Sequence, residues 1–132
     1  MSEEFLAFIK KHHVLNLCTC VDNTSWSSSC FYAFDGSVFI FASDNKTRHM
    51  QNIAKNPSIS GTIALETKEV GLIQGIQFEG VVKKASAVAK KCYFKTYPFS
   101  RALFPTLWEI EITYAKLTDN RLGFGKKLEF RR

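Results

Sequence analysis

Three closely spaced strand-like runs near the start of the sequence constrain the fold more than any other feature. They are separated by short turns and cover Val14–Val21, residues 25–34 and Val38–Ala42. The second turn contains Asp35 and Gly36, a pair that is a strong hairpin signal. Because strands joined by short turns lie antiparallel, the sequence predicts that these three strands are antiparallel neighbours.

Helix-like and strand-like runs alternate through the rest of the chain, which is predicted to form one domain over residues 1–132. The predicted helices are Glu3–Lys11, 46–55 and 85–94, and the further strands are 58–65, 72–82, 107–117 and 127–130. Several short strands with two or three helices favour a closed or nearly closed antiparallel barrel, because closure removes exposed strand edges. A barrel of this size is filled by its own side chains, so a cofactor would bind outside it.

The net charge of the chain is +6, with a pI near 9.2, which suits a phosphorylated small molecule, a nucleic acid or an anionic membrane surface. The basic residues are spread along the chain without a long basic arm, and the aromatic residues alternate as core residues do. Both observations argue against nucleic acid as a partner. No apolar run approaches the ~20 residues that a spanning helix needs, so no membrane partner is predicted.

Cysteine usage and the opening residues predict a cytoplasmic protein. The four cysteines include no Cys-x-x-Cys pair, and no Cys/His spacing suits zinc, so no metal site is predicted. Reduced thiols are the simplest account of such cysteines. The opening residues, MSEEFLAFIKKHH, have the pattern of an amphipathic helix led by acidic residues rather than that of a signal peptide.

The predicted second helix begins with a concentration of positive charge. Amides in the first turn of a helix have no intrahelical partner, and the helix dipole adds about half a positive charge there. Acidic residues usually occupy such positions, whereas this chain has Lys46, Arg48 and His49. Each cation costs roughly 0.3–1 kcal/mol at this end, and a bound phosphate would reverse the sign of that contribution. The alternative is that Asp44 and Asn45 cap the helix and the cations point into water.

Four motifs in a fixed order carry a resemblance to a known family. They read KTRH, IQGIQFEG, WEI and TDNRLGFGKK, and the likeness extends from near Val14 to the C-terminus. Together they resemble the FMN-binding split-barrel superfamily, of which pyridoxamine 5′-phosphate oxidase is the best-known member, and within it the small bacterial YhbP-like group. The resemblance implies a mainly β protein with α-helices, namely a six- to seven-stranded antiparallel split barrel with two or three flanking helices. It also implies a homodimer with FMN at the interface.

The resemblance assigns the basic helix start to the phosphate of FMN. In such proteins basic residues at this position hold the phosphate, which implies that Arg48 and His49 grip it. The hydroxyls of Ser43 and Thr47 would donate to the same group. His49 departs from the lysine of the oxidase pattern, so its charge at neutral pH depends on its surroundings.

The resemblance also implies contacts to the flavin ring. A stretch of the second strand would lie along the ring, and it consists of Ser29, Cys30 and Phe31. Gln74 and Gln77 fall near a glutamine that meets the ring edge. On a regular strand the two would face opposite sides, so only one would serve unless Gly75 forms a bulge. The partner subunit would contribute Trp108, and Lys126 or Lys127 of the GFGKK segment.

The resulting hypothesis is an FMN-dependent oxidoreductase that acts on an unknown small molecule, with no catalytic residue assigned. The C-terminal Arg/His segment that handles pyridoxamine phosphate in the oxidase is replaced here by LGFGKKLEF, so the oxidase reaction itself is not carried over. The alternative is a split barrel that binds haem, a deazaflavin or a phosphorylated metabolite without catalysis. In the haem case the iron ligand would be His12, His13 or His49.

Overall fold

Both predicted turns join antiparallel strands, but the two hairpins lie at opposite ends of the sheet. In the computed structural model, which describes residues 1–122 and 127–132, β1 (Val14–Val21) pairs antiparallel with β2 (Thr24–Phe31). Asp22 and Asn23 form the turn with φ angles of 51° and 61°, the left-handed geometry of a tight two-residue hairpin.

The predicted run 25–34 is interrupted at Tyr32, so both predicted antiparallel pairings occur, but the prediction that one unbroken middle strand makes the three strands consecutive neighbours is wrong. The Tyr32 hydroxyl donates to the carbonyl of Ile9 at 2.6 Å, and its N–H donates to the carbonyl of His13 at 2.9 Å. These bonds pull the chain inward, and the short strand β3 (Ala33–Phe34) pairs only with β4 (Val38–Ala42) at the other end of the sheet.

The later strands of the described chain are β5 (Ser58–Ala64), β6 (Gln74–Lys84), β7 (Leu107–Asp119) and β8 (Lys127–Arg131). Together the eight antiparallel strands make one curled sheet in the order β2-β1-β5-β6-β7-β4-β3, with β8 paired to β7. β7 is long enough for its first half to pair with β4 and its second half with β8 along the same edge. The split-barrel prediction is confirmed, and the strand beyond the predicted six or seven is the two-residue β3. The helices are α1 (Glu3–Lys11), α2 (Arg48–Lys55) and α3 (Ala87–Thr96). Short 3₁₀ turns lie at Val70–Leu72, Pro98–Leu103 and Asn120–Leu122.

Large apolar side chains fill the inside of the curled sheet. Phe39 and Phe78 are almost fully buried there, with their ring centroids 4.9 Å apart, and α1 covers them with a face that includes Phe5. Gly61 makes room for this packing, because a Cβ at that position would lie 2.4 Å from Cζ of Phe78. The interior is therefore occupied by protein atoms, as expected for a small barrel.

Helix α2 is fixed to the sheet by apolar and polar contacts. Met50 and Ile53 on its inner face are buried in the core. Asn52 donates to the hydroxyl of Thr19 at 3.0 Å, and Asn56 donates to the carbonyl of Cys20 at 2.9 Å. The side chains that set the position of α2 thus lie along its length, away from its first turn. No helix among the described residues is long and apolar enough to cross a membrane.

Candidate functional site

The loop after β4 and the first turn of α2 bring three side chains together. Ser43 Oγ lies 2.6 Å from Nε2 of His49 and 3.3 Å from Oγ1 of Thr47. Thr47 is the N-cap of α2, and its hydroxyl accepts the N–H of Met50 at 3.3 Å. The helix therefore begins at Arg48, two residues later than predicted, and Lys46 precedes the cap instead of lying in the first turn. Ser43, Thr47 and His49 form one contiguous cluster.

The backbone around this cluster leaves amide groups free. The carboxylate of Asp44 accepts the N–H of Lys46 at 2.8 Å, and the Thr47 hydroxyl donates to the Asp44 carbonyl at 2.9 Å. The N–H groups of Arg48 and His49 have no hydrogen-bond acceptor among the residues described. Free amides at a helix start are donors for an anion.

The cations at the start of α2 are not neutralised by ion pairs. Neither Lys46 nor Arg48 lies within salt-bridge distance of a carboxylate in the described part of the chain. The first turn of α2 contains no acidic residue. The guanidinium of Arg48 instead stacks on the ring of Trp26, 4.1 Å from its centroid. The adjacent Asp44 does not form an ion pair with either cation in the described chain, and its carboxylate instead accepts the N–H of Lys46.

His49 is uncharged near neutral pH in this environment. Burial lowers the pKa of its imidazole below the ordinary value of 6.5. A neutral imidazole can accept the Ser43 hydroxyl proton or donate its own, depending on the tautomer. The positive charge of His49, which the sequence alone does not determine, is therefore disfavoured as long as no anion lies nearby.

Trp108 supports the same loop within its own chain. It lies opposite Phe41 in the β4–β7 ladder, and its indole N–H donates to the Ser43 carbonyl at 3.0 Å. A cavity of about 320 Å³ lies beside it along α2, lined by Asn45, Met50, Gln51, Ile53, Ala54, Pro57, Val82 and Trp108. The predicted contact of Trp108 with the partner's flavin stays a prediction.

The predicted β2 stretch alternates between the two faces of the sheet. Ser29 and Phe31 are exposed on the outer face, where the Ser29 hydroxyl donates to the Asn16 side chain at 2.9 Å. Cys30 faces inward against the core, and burial raises the pKa of its thiol. Side chains of this stretch cannot all face one ligand, although its backbone can still lie along one.

The two glutamines face opposite sides, as the strand alternation predicts. Gln74 is buried, and its carbonyl oxygen accepts from Arg121 at 3.0 Å; hydrogen bonds from Arg121 also lower the pKa of Asp119. Gln77 is exposed and lines a cavity of about 370 Å³ on the outer face of the sheet. The strand register runs unbroken through Gly75, so the bulge alternative is excluded there. Gln77 is therefore the glutamine with a free outward-facing amide.

Two inward-facing residues of β2 were not assigned to the site from the sequence. Trp26 carries the guanidinium of Arg48, and the Ser28 hydroxyl is buried without a hydrogen-bond partner that meets normal geometry among the described residues. The period-two alternation of β2 places both on the face of Cys30, which was the available signal. Lys126 lies outside the described residues.

No arrangement of side chains in residues 1–122 and 127–132 supports metal binding. No three His, Cys, Asp or Glu side chains come close enough there to hold an ion. His12, one of the haem-ligand candidates, packs on the ring of Phe8 with centroids 4.2 Å apart, and burial lowers its pKa.

Comparison with known proteins agrees with this architecture. The family model described as pyridoxamine 5′-phosphate oxidase matches residues 1–119. The UPF0306 protein YhbP of Salmonella arizonae is 37% identical over 131 residues, covering 95% of this chain and 89% of that protein.

Solved structures with low sequence identity share the fold. A heme binding protein from Mycobacterium smegmatis superposes with a TM-score of 0.83 at 16% identity, over 98% of this chain and 57% of that one. An FAD-binding protein from Mesorhizobium loti gives a TM-score of 0.70 at 11% identity, over 87% of this chain and 90% of that one. The match over residues 1–119 and the identity to YhbP show that the chain belongs to the pyridoxamine 5′-phosphate oxidase family and, within it, to the YhbP-like proteins.

Proposed function

We propose that this protein binds FMN, with the phosphate at the start of α2, and that it acts as an FMN-dependent oxidoreductase. One observation carries the proposal: Ser43, Thr47 and His49 converge beside two free amides, next to cations that have no carboxylate partner among the described residues. A dianionic phosphate would accept from the two amides and from the Ser43 hydroxyl and would compensate the cations, while the Thr47 hydroxyl keeps its bond to the Asp44 carbonyl.

The residues present fit the phosphate end of the cofactor. The amides of Arg48 and His49 donate without losing another partner, and the Ser43 hydroxyl can turn from His49 to the ligand. Arg48 can contact the phosphate while its guanidinium stays near the Trp26 ring, which limits its freedom. When bound, the flavin supplies the hydride chemistry, and the protein supplies position and phosphate anchoring.

Haem is the second candidate, because a haem-binding protein shares the fold. The imidazoles of His12 and His49 have lowered pKa values, so both would be unprotonated and able to bind iron. However, His12 is packed against Phe8, and iron bound by His49 would leave the amides of Arg48 and His49 without an acceptor. The start of α2, by contrast, offers the N–H donors of Arg48 and His49, which suit an anionic group and therefore favour FMN.

We further propose that the protein works as a homodimer, as the family resemblance implies. The outer face of β1, β5 and β6 supports this, because it is exposed and carries small side chains such as Cys18, Ser60 and Thr62. Small side chains allow a second chain to approach the sheet closely. In this arrangement Gln77 would lie at the seam between the two chains.

Comparison of FMN with riboflavin tests the proposal, since riboflavin lacks the phosphate. We expect FMN to bind with quenched flavin fluorescence and at least ten-fold more tightly than riboflavin, one molecule per chain, because a charge-assisted hydrogen bond contributes about 1.5–3 kcal/mol. Sedimentation of the complex should give the mass of two chains. Equal affinity for the two flavins, or a Soret band on adding haemin with no response to FMN, would contradict the proposal.

The affinity for FMN should rise as the pH falls from about 8 to about 6. Burial lowers the pKa of His49 in the free protein, and a bound dianion would raise it, so the complex takes up a proton that the free protein lacks. Fluorescence titrations across this range measure the effect. The matched variant is His49→Gln, which keeps a hydrogen-bonding side chain without the titration. If His49→Gln shows the same pH dependence as the wild type, His49 does not face the phosphate.

A further inference from the structure

The stretch between Glu79 and Glu109 carries positive charge without any acidic residue. Its six basic residues are Lys83, Lys84, Lys90, Lys91, Lys95 and Arg101. Within the described chain only one of them, Lys83, is in salt-bridge distance of a carboxylate, that of Glu111. The other five lie on α3, on the turn after it and at the end of β6, and they form no salt bridge with the residues that the structure describes.

Large apolar side chains protrude from the same elements. The exposed fractions are 70% for Val88, 93% for Phe99, 80% for Leu103 and 90% for Phe104. A cavity of about 480 Å³ separates α3 from the following segment, and it is lined by Lys90, Phe94, Arg101, Phe104, Pro105 and Leu107. We call the exposed apolar and basic residues together the basic apolar face, which consists of Val88, Lys90, Lys91, Lys95, Phe99, Arg101, Leu103 and Phe104.

The packing of α3 turns this face away from the rest of the protein. Ala89 and Tyr93 on the inner side of α3 are buried against β4 and β7. The hydroxyl of Tyr97 donates to the carbonyl of Tyr32 and so fixes the end of α3. Phe104 adopts the left-handed conformation, with φ 48° and ψ 53°, which a bulky residue rarely adopts, and its side chain remains in solvent. Phe99, Leu103 and Phe104 thus belong to the turn after α3 and remain outside the apolar cluster against which α3 packs.

We propose that the basic apolar face docks on an anionic lipid bilayer surface. Protruding aromatic and aliphatic side chains surrounded by lysine and arginine are the composition that binds the boundary between headgroups and acyl chains. Lys90 and Arg101 border one cavity, where they can hold a lipid phosphate, while Phe99, Leu103 and Phe104 enter the apolar layer. Such a surface contact needs no membrane-spanning helix.

Other occupants fit the charge and shape less well. Two copies meeting through this face would bring two sets of four cations together, none of which has a carboxylate within salt-bridge distance among the described residues. A second copy could instead present its exposed apolar segment around Val70 and Leu72 to this face. The acidic residues next to that segment in sequence are Glu66 and Glu69, and Lys68 lies between them. Single-stranded nucleic acid would match the charge and could stack on Phe99 and Phe104, but it would leave the exposed aliphatic side chains of Val88 and Leu103 in water, whereas a bilayer takes up all four.

Vesicle co-sedimentation of the full chain tests the proposal. We expect the protein to sediment with vesicles of phosphatidylcholine and phosphatidylglycerol but not with phosphatidylcholine alone, and added salt should weaken the binding. The triple variant Phe99→Ser, Leu103→Ser, Phe104→Ser should lose at least ten-fold in vesicle affinity. The matched control is Val70→Ser with Leu72→Ser, which removes exposed apolar side chains from a segment without a basic surround and should bind like the wild type.

The remaining measurements separate lipid from the other occupants. The triple variant should keep its thermal unfolding temperature, its mass in sedimentation and its affinity for FMN, because none of the three side chains packs in the core or lies at α2. The proposal is overturned if neither vesicle type binds, or if the triple variant binds as the wild type does. It is also overturned if the triple variant changes the mass from two chains to one, which would make a second copy the occupant. Equally tight, lipid-independent binding of single-stranded RNA would overturn it as well.

Discussion

Arg48→Ala should weaken FMN binding by about 1.5–3 kcal/mol, roughly ten- to hundred-fold, because it removes a charged hydrogen bond to the phosphate. Arg48 has no carboxylate partner among the described residues, so the substitution breaks no ion pair there. The lost stacking on Trp26 costs about 0.5–1 kcal/mol at an exposed site, and removal of a cation from the helix start offsets part of it. The folding stability should therefore change little.

Arg101→Ala is the matched control for this experiment. Its guanidinium also lies over an aromatic ring, that of Phe94, with 4.5 Å to the centroid, but it belongs to the turn after α3. Fluorescence titration should show wild-type FMN affinity for this variant. Riboflavin gives an internal check, because Arg48→Ala should leave its affinity unchanged. A variant that loses riboflavin and FMN equally would show that Arg48 acts on the ring or on the fold, and the phosphate assignment would fail.

Phe78→Ala should lower the free energy of unfolding by about 3–5 kcal/mol, the usual loss for a fully buried phenylalanine. Phe78 is 2% exposed, packs against Phe39 and fills the space that Gly61 leaves open. A domain of this size is stable by about 5–15 kcal/mol, so the variant should be close to unfolding at moderate temperature. Chemical denaturation followed by circular dichroism measures the change.

Phe99→Ala provides the comparison for the core substitution. The same deletion of a phenyl ring at a position that is 93% exposed should change the unfolding free energy by no more than about 0.5 kcal/mol. A loss below about 1 kcal/mol for Phe78→Ala would mean that the inside of the sheet is not packed as described. The interior would then have room for a ligand, and the placement of a cofactor outside the barrel would need revision.

Local sequence signals predicted most of the secondary structure. The bounds of α1 and β1 agree with the sequence prediction, because helical spacing and the 22–23 turn are encoded by adjacent residues. The break at Tyr32 was not predictable in this way, since it depends on hydrogen bonds to Ile9 and His13 from another part of the chain. The order of the strands likewise depends on pairing between distant segments.

The same distinction holds for the candidate site. Ser43, Thr47 and His49 lie within seven residues of one another, so the sequence alone could bring them together. Trp26 was missed because its contact with Arg48 joins two separate elements. Gln74 illustrates the converse, because only the fold shows that Arg121 already occupies its carbonyl oxygen.

The anchoring of α2 by Asn52 and Asn56 has a consequence for selectivity. Because these amides hold the helix to β1, the groups at its first turn keep their places before any ligand arrives. A preorganised pocket loses little conformational entropy on association, so affinity reflects the match in shape and charge rather than adaptation. We therefore expect the site at the start of α2 to discriminate sharply among ligands by the terminal group that it binds. Variation at the other end of the ligand should be tolerated.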